Sequence, residues 1–164
     1  VFHKHRKVIL AVAAMVVFAL VAHFRARMEH RAGRGGEDAA VVKVVDGDTV
    51  ILSDGRFVRY VGIDTPEMDA ASERAREFAR AATEINRRMV EGREVRLEYD
   101  VERKDKYGRT LAYVYVDGES VNARLVAGGH ARAEFFGDNR RHLDEYKRLE
   151  AQARAERLGI WAGE

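Results

Sequence analysis

The order of strand and helix patterns after residue 40 most constrains how this 164-residue chain can fold. Three short runs of β-forming residues come first, at Val41–Val45, Thr49–Leu52 and Arg56–Ile63, with turn sequences between them. One long helical pattern follows, and only then do further strands appear. A parallel α/β sheet requires strands that alternate with helices, so this order excludes that class.

Residue spacing predicts the elements in the rest of the chain. Apolar residues at three- and four-residue steps predict an amphipathic helix over about Ala70–Glu91, which Gly92 ends. Two strands and two helices complete the order: strands at Val95–Tyr99 and Thr110–Val116, a short helix at Val121–Ala127, and a last helix that contains Leu143 and Tyr146 and ends before Gly159.

These elements predict an α+β fold built on a small closed barrel. Five short strands with one interposed helix are typical of the five-stranded oligonucleotide-binding-type β-barrel. We therefore expect such a barrel with three helices over residues 41–164, preceded by an N-terminal hydrophobic helix.

The N-terminal region has the composition of a targeting segment. Val8–Phe24 contains 17 residues without Lys, Arg, Asp or Glu, which as a helix would span ~26 Å. Basic residues precede it, so residues 1–24 are predicted to be a signal anchor or a signal peptide. Residues 25–40 are mainly Arg, Gly and acidic residues, typical of a flexible linker. We expect an exported domain, membrane-anchored outside the cytoplasm or secreted if the leader is cleaved, and a monomer.

The basic excess of the chain lies in this leader and not in the domain. Residues 1–40 contain seven Lys or Arg and three Asp or Glu, whereas the remainder contains 22 and 24. A general positive field on the domain is therefore excluded. Cysteine is absent, which excludes disulfides, thiolate metal sites and thiol nucleophiles.

Three polar segments contain the candidate chemistry, and each also has an ordinary structural explanation. Asp46-Gly47-Asp48-Thr49 suits a tight turn in which glycine takes positive φ. Asp64-Thr65-Pro66-Glu67 precedes the long helix, where Thr65 as N-cap and Pro66 at the first position would be normal capping. Asp105-Lys106-Tyr107-Gly108-Arg109 reads as a polar loop with a glycine turn.

Arg59 is harder to explain as an ordinary surface residue. Strand alternation places it on one face with Phe57, Val61 and Ile63, which predicts that it faces inward. A buried guanidinium requires an anionic partner, and either a carboxylate or a phosphate would serve.

Taken together, the segments are suited to phosphodiester hydrolysis. Asp48 and Asp64 each end a strand, and two carboxylates with a backbone carbonyl favour Ca²⁺ or Mg²⁺ over Zn²⁺. Glu67 would reach water beside that metal, while Arg59 and Arg109 would stabilise charge on the phosphate.

The same segments resemble those of the thermonuclease, or staphylococcal nuclease-like, family. The matches are the turn at Asp46–Thr49, Arg59 five residues before Asp64-Thr65-Pro66-Glu67, the loop at Asp105–Arg109, and the terminal Gly159-Ile160-Trp161. The resemblance covers essentially all of residues 41–164 and leaves out the leader.

The resemblance implies a Ca²⁺-dependent endonuclease that cleaves DNA and/or RNA to leave 3′-phosphate ends. It implies that Asp48, Asp64 and the carbonyl of Thr65 bind the metal and that Glu67 acts as general base. It also implies that Arg59 and Arg109 grip the phosphate, and that Lys106 and Tyr107 lie beside the bound nucleotide.

Two alternatives to an active enzyme remain open. One is a catalytically inactive nucleic-acid-binding module with the same fold, although such a module has no evident need for Glu67 together with both carboxylates. The other is a membrane-tethered interaction domain in which the acidic turns are purely structural. Phe135 and Phe136 stand where the family often has tyrosines, and either base stacking or core packing would explain them.

Overall fold

The computed structural model describes residues 36–163, so the targeting segment predicted at residues 1–24 lies outside the described part. The described residues form eight strands, three α-helices and one 3₁₀ turn. The strands are β1 Gly36–Val44, β2 Thr49–Leu52, β3 Phe57–Tyr60, β4 Ile63–Asp64, β5 Glu94–Glu98, β6 Thr110–Val116, β7 Glu119–Ser120 and β8 Arg132–Ala133. The helices are α1 Glu73–Val90, α2 Val121–Ala127 and α3 Leu143–Ala155, followed by the 3₁₀ turn Gly159–Trp161.

Five of these strands close into the predicted barrel. They are hydrogen-bonded in the order β3-β2-β1-β5-β6, and parallel pairing of β3 with β6 joins the two edges. The first half of β1 pairs with β5 and the second half with β2, with a register shift between Val41 and Lys43. A bulge at this point lets one strand bend and serve both sides of the barrel.

Alternating residues of the strands fill the barrel interior. Val50, Leu52, Val58 and Leu97 are each at most 1% exposed. The buried face of α1 packs against the barrel through residues such as Met89 and Val90, which belong to the same apolar cluster. The predicted α+β barrel with three helices is thus confirmed over the described residues.

Two predicted boundaries are wrong. The linker predicted at residues 25–40 overlaps β1, because Gly36 to Ala40 pair with β5. The strand was not recognised in the sequence because its acidic side chains resemble those of a linker. In the structure Glu37 is half exposed and forms an ion pair across the sheet with Arg56. Helix α1 begins at Glu73 with Ser72 as its N-cap, so the capping roles considered for Thr65 and Pro66 are also wrong. Within residues 36–163, every helix is too short or too polar to cross a bilayer.

Candidate active site

The Asp46–Asp48 turn between β1 and β2 is shaped by close packing. The Asp46 side chain accepts a hydrogen bond from the Asp48 backbone N–H at 3.0 Å. Gly47 does not adopt positive φ, so the predicted reason for its glycine is wrong. Instead, a Cβ at Gly47 would lie 2.6 Å from the Thr65 hydroxyl. The absence of a side chain lets the segment after β4 pack directly on the turn.

Asp48 is a buried carboxylate with several hydrogen-bond donors. It is only 4% exposed, and its Oδ2 accepts hydrogen bonds from the backbone N–H of Thr65 at 2.9 Å and the Thr65 hydroxyl at 3.0 Å. Burial raises the pKa of Asp48 to about 7, against the opposing effect of Arg59 and with a further increase from Asp46. The surrounding donors therefore do not fully compensate this carboxylate for its loss of water.

Arg59 joins the two carboxylates that were predicted to act together. Its Nη1 lies 2.8 Å from Asp48 Oδ2 and its Nη2 lies 2.7 Å from Asp64 Oδ1. Nη1 also donates to the carbonyl oxygens of Tyr60 and Ile63. One guanidinium thus holds Asp48 and Asp64 at a single locus.

The strand face predicted for Arg59 is wrong, although its anionic partners are as expected. The buried residues of β3 are Val58 and Tyr60, whereas Phe57 is 47% exposed. The alternation with Val61 and Ile63 fails because the chain turns at Gly62, which has φ of +77°. The Arg59 side chain therefore points outward from the barrel. It is nevertheless only 15% exposed, because the carboxylates of Asp48 and Asp64 cover it.

Glu67 lies in the irregular segment between β4 and α1. The residue is exposed, and among residues 36–163 its carboxylate has no hydrogen-bond or ion-pair partner. Partial desolvation of the carboxylate raises the pKa of Glu67, and repulsion from Asp64 and Asp46 adds to that rise. The structure thus places Glu67 within electrostatic reach of Asp64 and Asp46, with its oxygens free to accept hydrogen bonds.

The loop before β6 presents Lys106, Tyr107 and Arg109 as a second cluster. Asp105 orders this loop by accepting hydrogen bonds from the backbone N–H groups of Tyr107 and Arg109, each at 2.9 Å. It also accepts from Arg109 Nε at 2.7 Å. Tyr107 is 72% exposed, with Lys106 Nζ 4.9 Å and Arg109 Cζ 5.6 Å from its ring centre. An exposed aromatic ring beside cations suits a stacked base and its phosphate.

Closure of the barrel brings the two predicted arginines to one face. Arg59 pairs with Leu111 across the parallel β3–β6 ladder, and Arg109 lies two residues before Leu111. Arg109 immediately precedes β6, and extending the strand's alternation by one residue places Arg109 on the same side as Arg59. The spacing between neighbouring strands and the rise per residue place the Cα atoms of Arg59 and Arg109 roughly 8 Å apart.

A buried amide behind the turn was missed by sequence reasoning. Asn86 of α1 is fully buried and donates to the Asp46 carbonyl at 3.1 Å while accepting from the Tyr60 hydroxyl at 2.9 Å. The Tyr60 backbone N–H in turn donates to the Asp48 carbonyl at 2.9 Å. The available signal was a polar residue on the apolar stripe of α1, three residues before Met89.

The two phenylalanines have different environments. Phe135 packs over Gly62, where a Cβ would lie 2.6 Å from its ring, and its ring centre is 5.8 Å from that of Tyr146. Phe136 is 68% exposed. Core packing thus accounts for Phe135, while Phe136 is available to contact a ligand.

The described residues contain no group of three or more His, Asp or Glu side chains arranged to hold a metal ion. The predicted metal ligands are a smaller set, two carboxylates and one main-chain carbonyl. The donor chemistry still suits a hard cation, because Asp48 and Asp64 meet at the Arg59 guanidinium and Asp46 and Glu67 lie within electrostatic reach of this pair's members. A divalent cation would stabilise the ionised form of Asp48, whose pKa is raised mainly by burial.

Comparison with known proteins identifies the family. The family model described as staphylococcal nuclease homologue matches residues 57–163. The chain belongs to the staphylococcal nuclease family. It is 40% identical over 129 residues to the thermonuclease of Staphylococcus intermedius, covering 77% of each chain. It is 37% identical over 125 residues to the thermonuclease of Staphylococcus hyicus, covering 74% of each.

A third relative extends the comparison beyond Staphylococcus. The chain is 36% identical over 125 residues to endonuclease YncB of Bacillus subtilis, covering 73% of this chain and 59% of YncB. Membership in the nuclease family confirms the resemblance inferred from the three polar segments and agrees with the observed barrel. The roles of individual site residues remain predictions.

Proposed function

We propose that this protein is a Ca²⁺-dependent endonuclease that hydrolyses phosphodiester bonds of DNA and/or RNA and leaves 3′-phosphate ends. The observation that carries the proposal is the Arg59 bridge between Asp48 and Asp64, with both ion pairs shorter than 3 Å. Relatives named thermonuclease and endonuclease support the reaction class.

The metal would be held by Asp48, Asp64 and the main-chain carbonyl of Thr65. All are hard oxygen donors, the type that Ca²⁺ prefers, and no nitrogen or sulfur ligand lies in this set. The Asp48 carboxylate is fixed in advance by the backbone N–H and hydroxyl of Thr65. A bound Ca²⁺ would supply Lewis-acid polarisation of the phosphate.

Glu67 is proposed to position the attacking water and to accept its proton. Its raised pKa fits that role, because a carboxylate with a higher pKa is a stronger base. The absence of a competing partner for its carboxylate among residues 36–163 leaves both oxygens available to water.

Arg59 and Arg109 are proposed to hold the negative charge that develops on the phosphate. They leave the same face of the barrel, and Asp105 fixes Arg109 through Nε, so its terminal nitrogens can point to a ligand. Preorganised cations of this kind stabilise a transition state without reorganisation during the reaction. Lys106 and the exposed ring of Tyr107 would then contact the adjoining nucleotide.

The N-terminal residues 1–24 are proposed to direct the domain across a membrane, where they either remain as an anchor or are removed. The proposal rests on the uncharged run after a basic segment. Protease accessibility of the domain in intact cells, together with the mass of the mature chain, tests the side of the membrane and the cleavage.

The test of the function is a nuclease assay on the full chain in detergent with single-stranded DNA and RNA. Reactions contain Ca²⁺, Mg²⁺ or a chelator, and product ends are analysed with a 3′-phosphatase. Cleavage that requires Ca²⁺ and yields 3′-phosphate ends supports every part of the proposal. Tight oligonucleotide binding without cleavage would instead favour the inactive binding module, and equal activity in chelator would exclude the metal.

A further inference from the structure

A second cationic region lies beside Asp64 on the side formed by α1, β8 and the 3₁₀ turn. A cavity of about 370 Å³ is lined by Asp64 and Thr65 of the candidate site and by Arg74, Phe78 and Arg132 outside it. Its volume falls in the lower range of ligand pockets, ~300–1,000 Å³. Because Asp64 and Thr65 line the cavity, it is continuous with the candidate site.

Strand pairing fixes Arg132 directly beside a predicted metal ligand. β4 and β8 form a two-stranded antiparallel sheet in which Asp64 pairs with Arg132. Directly paired residues present their side chains on the same face, with Cβ atoms ~5 Å apart. Asp64 nevertheless forms its ion pair with Arg59. The charge on Arg132 therefore remains available to an anion that approaches Asp64.

The environments of Arg132 and Arg74 leave both charges without a carboxylate partner among residues 36–163. The Arg132 guanidinium lies 4.5 Å from the centre of the buried Trp161 ring. The Arg74 guanidinium lies 5.6 Å from the centre of the Phe78 ring. Stacking on an aromatic ring orients a guanidinium without neutralising it.

Other arginines of α1, unlike Arg74, have carboxylate partners. Arg80 pairs with Glu73 at 2.7 Å and Arg88 pairs with Glu84 at 2.9 Å. These unpaired arginines belong to a domain in which acidic residues exceed basic ones after residue 40. Two unneutralised guanidinium groups at one cavity favour a ligand with a phosphate group.

We propose that this cavity is a second phosphate subsite, in which Arg74 and Arg132 bind a backbone phosphate of the substrate strand next to the one being cleaved. The proposal rests on the proposed nuclease function and extends it from a single phosphodiester to a polynucleotide strand. It predicts that strand binding depends on this arginine pair, whereas the chemistry on a minimal substrate does not.

The test measures binding without cleavage on the full chain in detergent. The probe is a fluorescein-labelled oligothymidylate of twelve nucleotides in the presence of chelator. The variant Arg74→Gln/Arg132→Gln is compared with Arg80→Gln/Arg88→Gln, a matched control that removes the same charge from the exposed face of α1. Dissociation constants are measured between roughly 50 and 200 mM salt, the range over which phosphate contacts alter affinity most visibly.

Loss of one phosphate contact on a single strand lowers the slope of log affinity against log salt by about 0.7. We expect that change in the cavity variant and not in the control, together with roughly fivefold weaker binding at low salt. A single neutral methylphosphonate linkage, moved along the strand, identifies the phosphate concerned. At the right position it weakens binding to the wild type and has no further effect in the cavity variant.

Several outcomes would overturn the subsite. Equal slopes in wild type and cavity variant would do so, as would an equal change in the control. Competition by free inorganic phosphate or polyglutamate as effective as that by oligonucleotide would indicate a general anion site.

Cleavage of a dinucleotide separates this proposal from the proposed function. If the wild type cleaves it and the cavity variant retains the same kcat/KM, the subsite acts on the strand alone. If the wild type cleaves neither substrate in Ca²⁺, the nuclease proposal fails, while the binding data still decide whether the cavity holds a phosphate.

Discussion

Replacement of Asn86 with alanine tests whether the buried amide positions the Asp48 turn. The substitution removes the hydrogen bond to the Asp46 carbonyl and the one from the Tyr60 hydroxyl. The Asp46 carbonyl and the Tyr60 hydroxyl each lose this hydrogen-bond partner, and Tyr60 is only 1% exposed, so water does not replace it there. Two connections between β3 and the turn remain, the hydrogen bond from the Tyr60 backbone N–H to the Asp48 carbonyl and the ion pair between Arg59 and Asp48.

The expected loss in stability follows from these two contacts. A buried polar group left without a partner costs about 1–3 kcal/mol, so two such groups cost about 2–6 kcal/mol. Alanine has a better helix propensity than asparagine, which offsets about 0.5 kcal/mol of this loss in stability. The domain should remain folded, because small domains have roughly 5–15 kcal/mol of stability. Since outer contacts of a metal ligand typically alter affinity by about 10–100-fold, we expect Ca²⁺ binding to weaken at least tenfold.

The assay combines urea unfolding with calorimetric Ca²⁺ titration. Asn139→Ala is the matched control, because Asn139 is also buried and bonds to the backbone of Glu102 at 2.7 and 2.8 Å. It should lower stability by a similar amount and leave Ca²⁺ affinity unchanged. If Asn86→Ala loses stability but binds Ca²⁺ as the wild type does, Asn86 supports the fold alone and the positioning argument is wrong.

Three further predictions address the proposed catalytic groups and the loop that carries Arg109. Glu67→Gln should keep the fold and lower kcat by about 10²–10⁴-fold, since it removes the proposed base; near-normal turnover would remove Glu67 from the mechanism. Arg109→Ala should lower kcat by about 10²–10³-fold with little change in the urea midpoint, and unchanged kinetics would exclude it as a charge stabiliser. Asp105→Asn tests pH dependence. Burial raises the pKa of Asp105, but hydrogen bonds from the Arg109 side chain and from the backbone N–H groups of Arg109 and Tyr107 outweigh it, so the pKa lies below its ordinary value. A lowered folded-state pKa contributes stability above the unfolded pKa of about 4, which is lost as pH falls through the folded value. The stability gap between wild type and Asp105→Asn, measured by urea unfolding, should be full at pH 6 and shrink below about pH 4, whereas a constant gap would contradict the assignment.

The barrel and its site segments were accessible from sequence because their signals are local. Thr110–Val116 and Val121–Ala127 were predicted with their observed bounds, since the turn sequence Asp117-Gly118 closes the first and Gly128-Gly129 ends the second. The start of β1 was missed because Glu37 and Asp38 look like linker residues until pairing with β5 is known. The start of a strand that is defined only by pairing with a distant strand has no local sequence pattern.

The site shows the same division. Asp48, Arg59 and Asp64 were expected to meet, and the structure joins all three through one guanidinium. The face of Arg59 was predicted incorrectly because alternation was carried through Gly62, where the chain turns. Asn86 and Arg132 went unnoticed, since their importance arises from contacts across 40 residues to Asp46 and from strand pairing with Asp64.

Parallel closure of β3 against β6 also has a consequence for how the protein acquires activity during folding. Val58 pairs with Thr110, and both α1 and β5 lie between these two residues in the sequence. Contacts between residues so far apart in sequence are entropically costly to nucleate and tend to form late. Arg59 and Arg109 share a face only once this ladder exists. A nascent or partly unfolded chain would therefore lack the pair of arginines that is proposed to bind the phosphate. The proposed nuclease would become active only when its barrel is closed.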